Sequence, residues 1–257
     1  MLGKTSPRSP LRQIAALFGG IAAGYPTNLI CRNDIRQTRL IFVPAGQKYR
    51  TVEAMYALSH FEETRLETLH ALIAAHPLGT LVTHRNAELA ADHIPFEIGA
   101  PTFDAPYGTL RAHVARANPL WRQSGAEVLA VFQGPSAYVS PSLYAEKPVS
   151  GKVVPTYNYA VVHAHGTLRA IEDPAWILAL LERLTAHHES ARAAPWAVRD
   201  APPEFIETLL NAIVGIEIPL GRLQGKWKLS QNRPPADRAA VAADCAALAA
   251  LMRELPT

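Results

Sequence analysis

Val154-Pro155-Thr156-Tyr157-Asn158-Tyr159-Ala160-Val161-Val162-His163-Ala164-His165-Gly166 is the run on which the fold turns. Its β-branched and aromatic residues suit a pleated strand. The two-residue period puts Thr156, Asn158 and Ala160 on one face and Tyr157, Tyr159 and Val161 on the other. Working outward, the strand reading extends over Lys152 to Ile171. It recurs in Gly79 to His84, Glu88 to Ile98, Gly108 to Ala115, Glu127 to Gln133 and Val214 to Leu220, each bounded by Gly, Pro or Asn. Strands in such succession, with few helices between them, predict a closed or nearly closed barrel.

Helices flank this pattern. Glu62 to Ala75 carries an apolar stripe of Leu66, Leu69, Leu72 and Ile73 and stops at His76-Pro77. Asp173-Pro174 supplies a cap and first-turn proline for a helix over Ala175 to His188, with Trp176, Leu180, Leu181 and Leu184 on its packed side. Pro202-Pro203 opens another over Glu204 to Ala212, with Phe205, Ile206, Leu209 and Leu210 expected to be buried. An alanine-rich helix over Ala236 to Glu254 closes the chain. The fold class is therefore mainly β with flanking helices, an α+β arrangement.

Charge divides the 257 residues unevenly. Residues 1–54 hold eight basic and two acidic side chains, a net of +6, while residues 55–257 hold 17 basic and 20 acidic, a net of −3. The first 54 residues also show no sustained period and read as a leader or a misplaced start, with residues 55–257 as the folded domain. A domain gripping DNA would be expected to carry a basic face, and net charge provides none. Neither a membrane-length apolar run nor a strong export signal is present, so the expected location is the cytoplasm. Cys31 and Cys245 are too far apart in sequence to suggest a metal motif and read as free thiols.

Four segments carry candidate chemistry. In Leu110-Arg111-Ala112-His113-Val114-Ala115-Arg116-Ala117-Asn118-Pro119, Arg111 and His113 share a strand face and Arg116 and Asn118 follow at its end. Such converging donors suit a phosphate monoester; an ordinary solvated strand face is the alternative. In Asp92-His93-Ile94-Pro95-Phe96 the proline marks an edge or bulge, where either a flat ligand sits beside His93 and Pro95 or the barrel merely turns a corner. The opening run sets Thr156 and Asn158 opposite an aromatic wall, an arrangement that suits a heteroaromatic ring. Its His163 and His165 lack a nearby Asp, Glu or Cys, so no metal is expected. Gly225-Lys226-Trp227-Lys228-Leu229-Ser230-Gln231-Asn232 offers two lysines on one face for a phosphate and an indole to cover a ring or a partner.

Together with Met55-Tyr56, His76-Pro77-Leu78-Gly79-Thr80-Leu81-Val82-Thr83 and Val139-Ser140-Pro141-Ser142, these ordered segments resemble PaiB-type proteins over about residues 55 to 240. The resemblance implies an FMN-binding split β-barrel related to the pyridoxamine-phosphate-oxidase and flavin-reductase barrels. It also implies a homodimer with FMN near the subunit interface and a role as a negative transcriptional regulator. The chain departs from the pattern at Leu143, where tryptophan is common, and in Ala57-Leu58-Ser59. The candidate FMN contacts are His93, Pro95, Arg111, His113, Arg116, Asn118, Ser140, Thr156, Asn158, Lys226 and Trp227.

Three functions follow as alternatives. One is an FMN-binding regulator, expected to act indirectly because the helices lack a basic recognition face. Another is a flavin-dependent oxidoreductase, in which the protein positions and tunes the flavin. The third is a haem-binding relative with His113, His163 or His165 as ligand.

Overall fold

The computed structural model describes residues 55–85 and 88–255; the expectation of an unpatterned segment over residues 1–54 lies outside them. In chain order the principal elements are β1 (Glu62–Glu63), α1 (Leu66–Ala75), β2 (Leu78–Arg85), β3 (Glu88–Pro95), β4 (Glu97–Gly99), β5 (Thr109–Ala115), β6 (Glu127–Val139), β7 (Thr156–Thr167), β8 (Arg169–Ile171), α2 (Pro174–Glu189), α3 (Pro203–Asn211), β9 (Ile213–Lys228), α4 (Pro235–Asp244) and α5 (Ala246–Arg253).

Among the described residues all strand pairings are antiparallel, and the strands follow the order β3-β2-β6-β7-β9-β5-β4, with β1 and β8 added along β9. Only Phe96 separates β3 from β4 in sequence, yet these strands stand at opposite ends of that order. The chain therefore turns from one edge to the other at Pro95-Phe96, and the sheet curls round to meet itself. Proline has no amide to donate to a ladder, which fits it for that corner. The ring of Phe96 is 2% exposed there and meets Phe132 edge-on, with centroids 5.8 Å apart.

Alternation fills the barrel. Leu110, Ala112 and Val114 of β5, Val128, Ala130 and Phe132 of β6, Ala160, Val162 and Ala164 of β7, and Ile216, Ile218 and Leu220 of β9 all point into one core. Burying each large aliphatic side chain contributes roughly 1.5–3 kcal/mol. Helix α1 joins this core through Leu69, Leu72 and Ile73. It approaches so closely that a Cβ on Gly225 would lie 2.3 Å from Leu69 Cδ2 and 2.9 Å from the Glu63 carbonyl oxygen. Helix α2 packs outside β5 and β9, its first turn capped by Asp173, whose Oδ1 accepts from Ala175 N at 2.9 Å. Its Trp176 lies over Gly215, and Arg183 clasps Glu97 through bonds of 2.7 and 3.0 Å.

Several sequence expectations need correcting. Helix α1 begins at Leu66, because Glu62 and Glu63 pair with Lys226 and Gly225 of β9 instead. Strand β6 runs on to Val139, since a register shift between Gln133 and Ser136 carries the ladder past Gly134-Pro135. Strand β9 continues beyond Leu220 to Lys228, so one 16-residue strand serves both halves of the barrel. Conversely, Lys152 to Ile171 is not one strand: β7 starts at Thr156 and Leu168 separates it from β8. The terminal helix is two, broken at Cys245, whose φ of −120° and ψ of 89° leave the helical region. On α3 only Leu210 is buried; Phe205 and Leu209 are 54% and 44% exposed, because α3 rests on its neighbours by one edge.

Candidate functional site

The outward face of β7 and β9 gathers the polar and aromatic side chains that the barrel core excludes. Arg222, Gln224, Lys226 and Lys228 alternate with inward Leu223, Gly225 and Trp227 along β9. Register places Arg222 opposite His165, Gln224 opposite His163, Lys226 opposite Val161 and Lys228 opposite Tyr159. One strand over, Tyr138 of β6 pairs with Tyr157, with ring centroids 6.3 Å apart.

Both lysines are held, in different ways. Lys228 Nζ donates to Thr156 Oγ1 and, at 2.6 Å, to the Tyr157 carbonyl. Burial, reinforced by the charge of Lys226, pulls the Lys228 ammonium below its usual range. Lys226 Nζ donates to the Tyr56 carbonyl at 2.9 Å and lies 5.5 Å from the ring centroids of both Tyr56 and Tyr159. Met55 N meets Gln224 Oε1 at 3.4 Å, which brings the Met55-Tyr56 backbone across the strip. Among the described residues, neither lysine has a carboxylate within ion-pair distance.

Further along the same face, the Arg222 guanidinium reaches the His165 ring nitrogens at 2.9 Å. Burial, together with the positive charge of Arg222, pushes His165 down to about 4. His163 shifts downward for the same reasons, with Lys226 adding to the effect. At neutral pH both rings are therefore uncharged, and a neutral imidazole keeps one nitrogen able to accept a proton or hydrogen bond.

The other predicted contacts lie elsewhere. Arg111 and His113 are on the outward side of β5, on the half of the barrel that α2 covers. Arg111 stands between Glu97 at 3.8 Å and Glu217 at 3.5 Å, and burial lowers the His113 pKa. Arg116, at the end of β5, is engaged by Glu172 and by the carbonyls of Asn211 and Ile213. Asn118 caps the 3-10 turn Pro119–Gln123 by accepting from Leu120 N, and its Nδ2 donates to Asp92 Oδ1 at 2.8 Å. His93 and Pro95 are exposed on β3. Ser140 caps the turn Pro141–Leu143, its hydroxyl 2.7 Å from that of Ser142.

Asn158 and Trp227 point inward and are 1% and 2% exposed. Asn158 Nδ2 donates to Ser230 Oγ at 2.9 Å, while its Oδ1 is left without a partner. The polar side of the opening segment thus faces the interior at Asn158, and the tyrosine side faces out. Of the predicted contacts, Lys226 belongs to the β7/β9 face, which Thr156 meets at its edge by accepting from Lys228; Arg111 and His113 lie on the α2 side, and Arg116 and Asn118 in a third place at the end of β5. Arg222 and Tyr56 also belong to the strip, beyond the sequence expectation; the polar-apolar alternation of Arg222-Leu223-Gln224-Gly225-Lys226-Trp227-Lys228 carries the strand signal past Gly221.

Fold and face together define a split β-barrel that offers cations and aromatic edges on one sheet surface. The chain belongs to the PaiB-like FMN-binding family: residues 55–222 match the family described as "Putative FMN-binding domain". It is 34% identical to protease synthase and sporulation protein PAI 2 of Bacillus subtilis, over 71% of this chain and 85% of that one. It is also 36% identical to an uncharacterised protein of Emericella nidulans, covering 72% and 87% of the two chains. The FAD and heme binding protein from Mycobacterium smegmatis superposes with a TM-score of 0.49 at 18% identity, over 70% of this chain and 78% of that one.

The cofactor of this family is FMN, and the donor chemistry of the strip fits it. An ammonium has three N–H donors. Thr156 and Tyr157 occupy two on Lys228, and Tyr56 occupies one on Lys226, so three remain beside two positive charges that no described carboxylate neutralises. That set matches a phosphate dianion, and the tyrosine edges match a planar ring.

Proposed function

We propose that the outward face of β7 and β9 is the FMN site, with Lys226 and Lys228 on the phosphate, and that the protein is a flavin-responsive negative regulator of transcription. The observation that carries the site is the lysine pair, two like charges side by side on one strand without a described acidic partner. When bound, FMN supplies reversible hydride and electron chemistry. The chain supplies two positive charges, tyrosine edges and the neutral imidazoles of His163 and His165.

The regulatory role is supported by kinship with the Bacillus subtilis sporulation protein. Charge favours an indirect route. Residues 55–257 are net acidic, and α2, α3, α4 and α5 each carry at most one arginine and no lysine. A helix entering the major groove needs more donors than that. The partner on this reading is another protein in the cytoplasm, and the working unit is a homodimer.

Two measurements test the proposal. The purified protein should take up FMN with flavin absorption bands, and Lys226→Met combined with Lys228→Met should weaken FMN at least about tenfold while sparing riboflavin. A Soret band instead would favour the haem reading. Transcripts that rise when the gene is deleted should be restored to their repressed level by the wild type but not by the double variant, without a salt-resistant DNA shift by the purified protein. A specific, salt-resistant shift would overturn the indirect route. The neutrality of His163 and His165 favours one second reading, an oxidoreductase in which they accept protons beside the flavin. Steady NAD(P)H turnover by the FMN-loaded protein would support it.

A further inference from the structure

We infer that Thr156 is a positioning residue that sets the preference of this site for a phosphomonoester, acting through Lys228 and not by touching the cofactor. This deepens the FMN reading above and rests on it.

The geometry assigns the hydroxyl elsewhere than to a ligand. Thr156 opens β7, and its Oγ1 accepts from Lys228 Nζ; the neighbouring Tyr157 carbonyl accepts from the same ammonium at 2.6 Å. In the strand register Lys228 stands opposite Tyr159, so its side chain runs back along β7 to reach Thr156. A lysine is a point charge on a flexible four-carbon stem. Two acceptors from consecutive residues remove that freedom, and tetrahedral geometry then aims the third N–H in one direction.

The hydroxyl suits the anchor because it stands one bond from Cβ, so χ1 alone, in one of three staggered wells, sets where the oxygen sits. Lys226 differs: it is fastened by one bond to the carbonyl of Tyr56, a residue 77% exposed. The strip thus pairs an immobilised charge with an adaptable one. Losing the anchor should cost phosphate recognition selectively, because a neutral ribityl chain has no charge for Lys228 to meet.

The test titrates FMN and riboflavin, by quenching of flavin fluorescence, into wild type, Thr156→Val, Thr156→Ser, Lys228→Met and the Thr156→Val/Lys228→Met double variant. Thr156→Val keeps the shape of the side chain and removes the acceptor; Thr156→Ser keeps the acceptor. The expected result is a loss of FMN affinity of about tenfold for Thr156→Val, with riboflavin within about twofold of wild type and Thr156→Ser close to wild type for both. The double variant should be no worse than Lys228→Met alone, because the hydroxyl has nothing left to position. The inference is overturned if Thr156→Val weakens both flavins equally, if Thr156→Ser fails to restore discrimination, or if the double variant shows the two losses adding. If the wild type itself binds FMN and riboflavin alike, or neither, the phosphate reading of the strip fails and this inference with it.

Discussion

Arg116 Nη1 and Glu172 Oε2 are 2.6 Å apart, and the same guanidinium donates through Nε to the Asn211 carbonyl at 2.9 Å and through Nη2 to the Ile213 carbonyl at 3.2 Å. The ion pair is solvent-exposed and contributes little by itself. The carbonyl bonds matter more, since they tie the end of β5 to the entry of β9. Arg116→Ala should lower stability by about 1–2 kcal/mol and change the FMN-to-riboflavin affinity ratio by less than about twofold. Urea melts and paired flavin titrations check this; a selective loss of FMN would return Arg116 to the phosphate.

Gly225 faces Leu69 at a distance no side chain can share, whereas Gly221, four residues earlier, has nothing within 4 Å of a built Cβ. Gly225→Ala should therefore destabilise by about 1–3 kcal/mol by pushing α1 off the barrel. Gly221→Ala should stay within about 0.5 kcal/mol of wild type. Equal effects in thermal unfolding would mean that α1 does not pack as described.

Asn118 joins β3 to the turn after β5 by donating to Asp92 while accepting from Leu120 N. Asn118→Ala should cost about 1–2 kcal/mol through the lost cap and the lost bond. Asn118→Asp keeps the cap but sets two carboxylates face to face, so its penalty should be larger at neutral pH than in mild acid. A penalty that does not vary with pH would argue against the Asp92 contact.

His165 gives the fold an acid limit. Its folded value is pushed down to about 4 from 6.5, so below 6.5 the unfolded chain takes up a proton that the folded chain refuses. Stability should be fully present above 6.5, fall as the pH drops toward 4, and lose nothing further from this group below that. His163 and His113 shift in the same direction and deepen the fall. His165→Asn should flatten part of the slope in urea midpoints measured between about pH 7 and about pH 5. An unchanged slope would assign the acid sensitivity to other groups.

The barrel was readable wherever one face of a strand is buried. Leu110, Ala112 and Val114 alternate with Arg111 and His113 in the sequence as they do in space. Pro95 marked its corner because proline leaves few alternatives. What alternation could not tell was which face looks inward. Asn158 is polar yet buried, bonded to Ser230, while Tyr157 is aromatic yet 55% exposed. Partners distant in sequence were equally hidden: Arg111 and Arg116 looked like free cations until the fold brought Glu217 and Glu172 beside them. Lys226 and Lys228 stood out in the sequence as a same-face pair; the fold shows that Tyr56 and Thr156 fasten them.

The pairing of Glu62 with Lys226 has a consequence for how the chain reaches this shape. The first strand of the domain finds its ladder partner only in the last, and β7 and β5 also lean on that same late segment. During synthesis β2, β3, β6 and β7 can pair with one another, but β1 and the β9-facing edges of β5 and β7 must wait until nearly all of the domain has left the ribosome. Such long-range closure folds slowly and favours protection by chaperones. A chain cut before Ile213 should be insoluble, and the amides of β9 should be among the last to exchange with solvent in the intact protein.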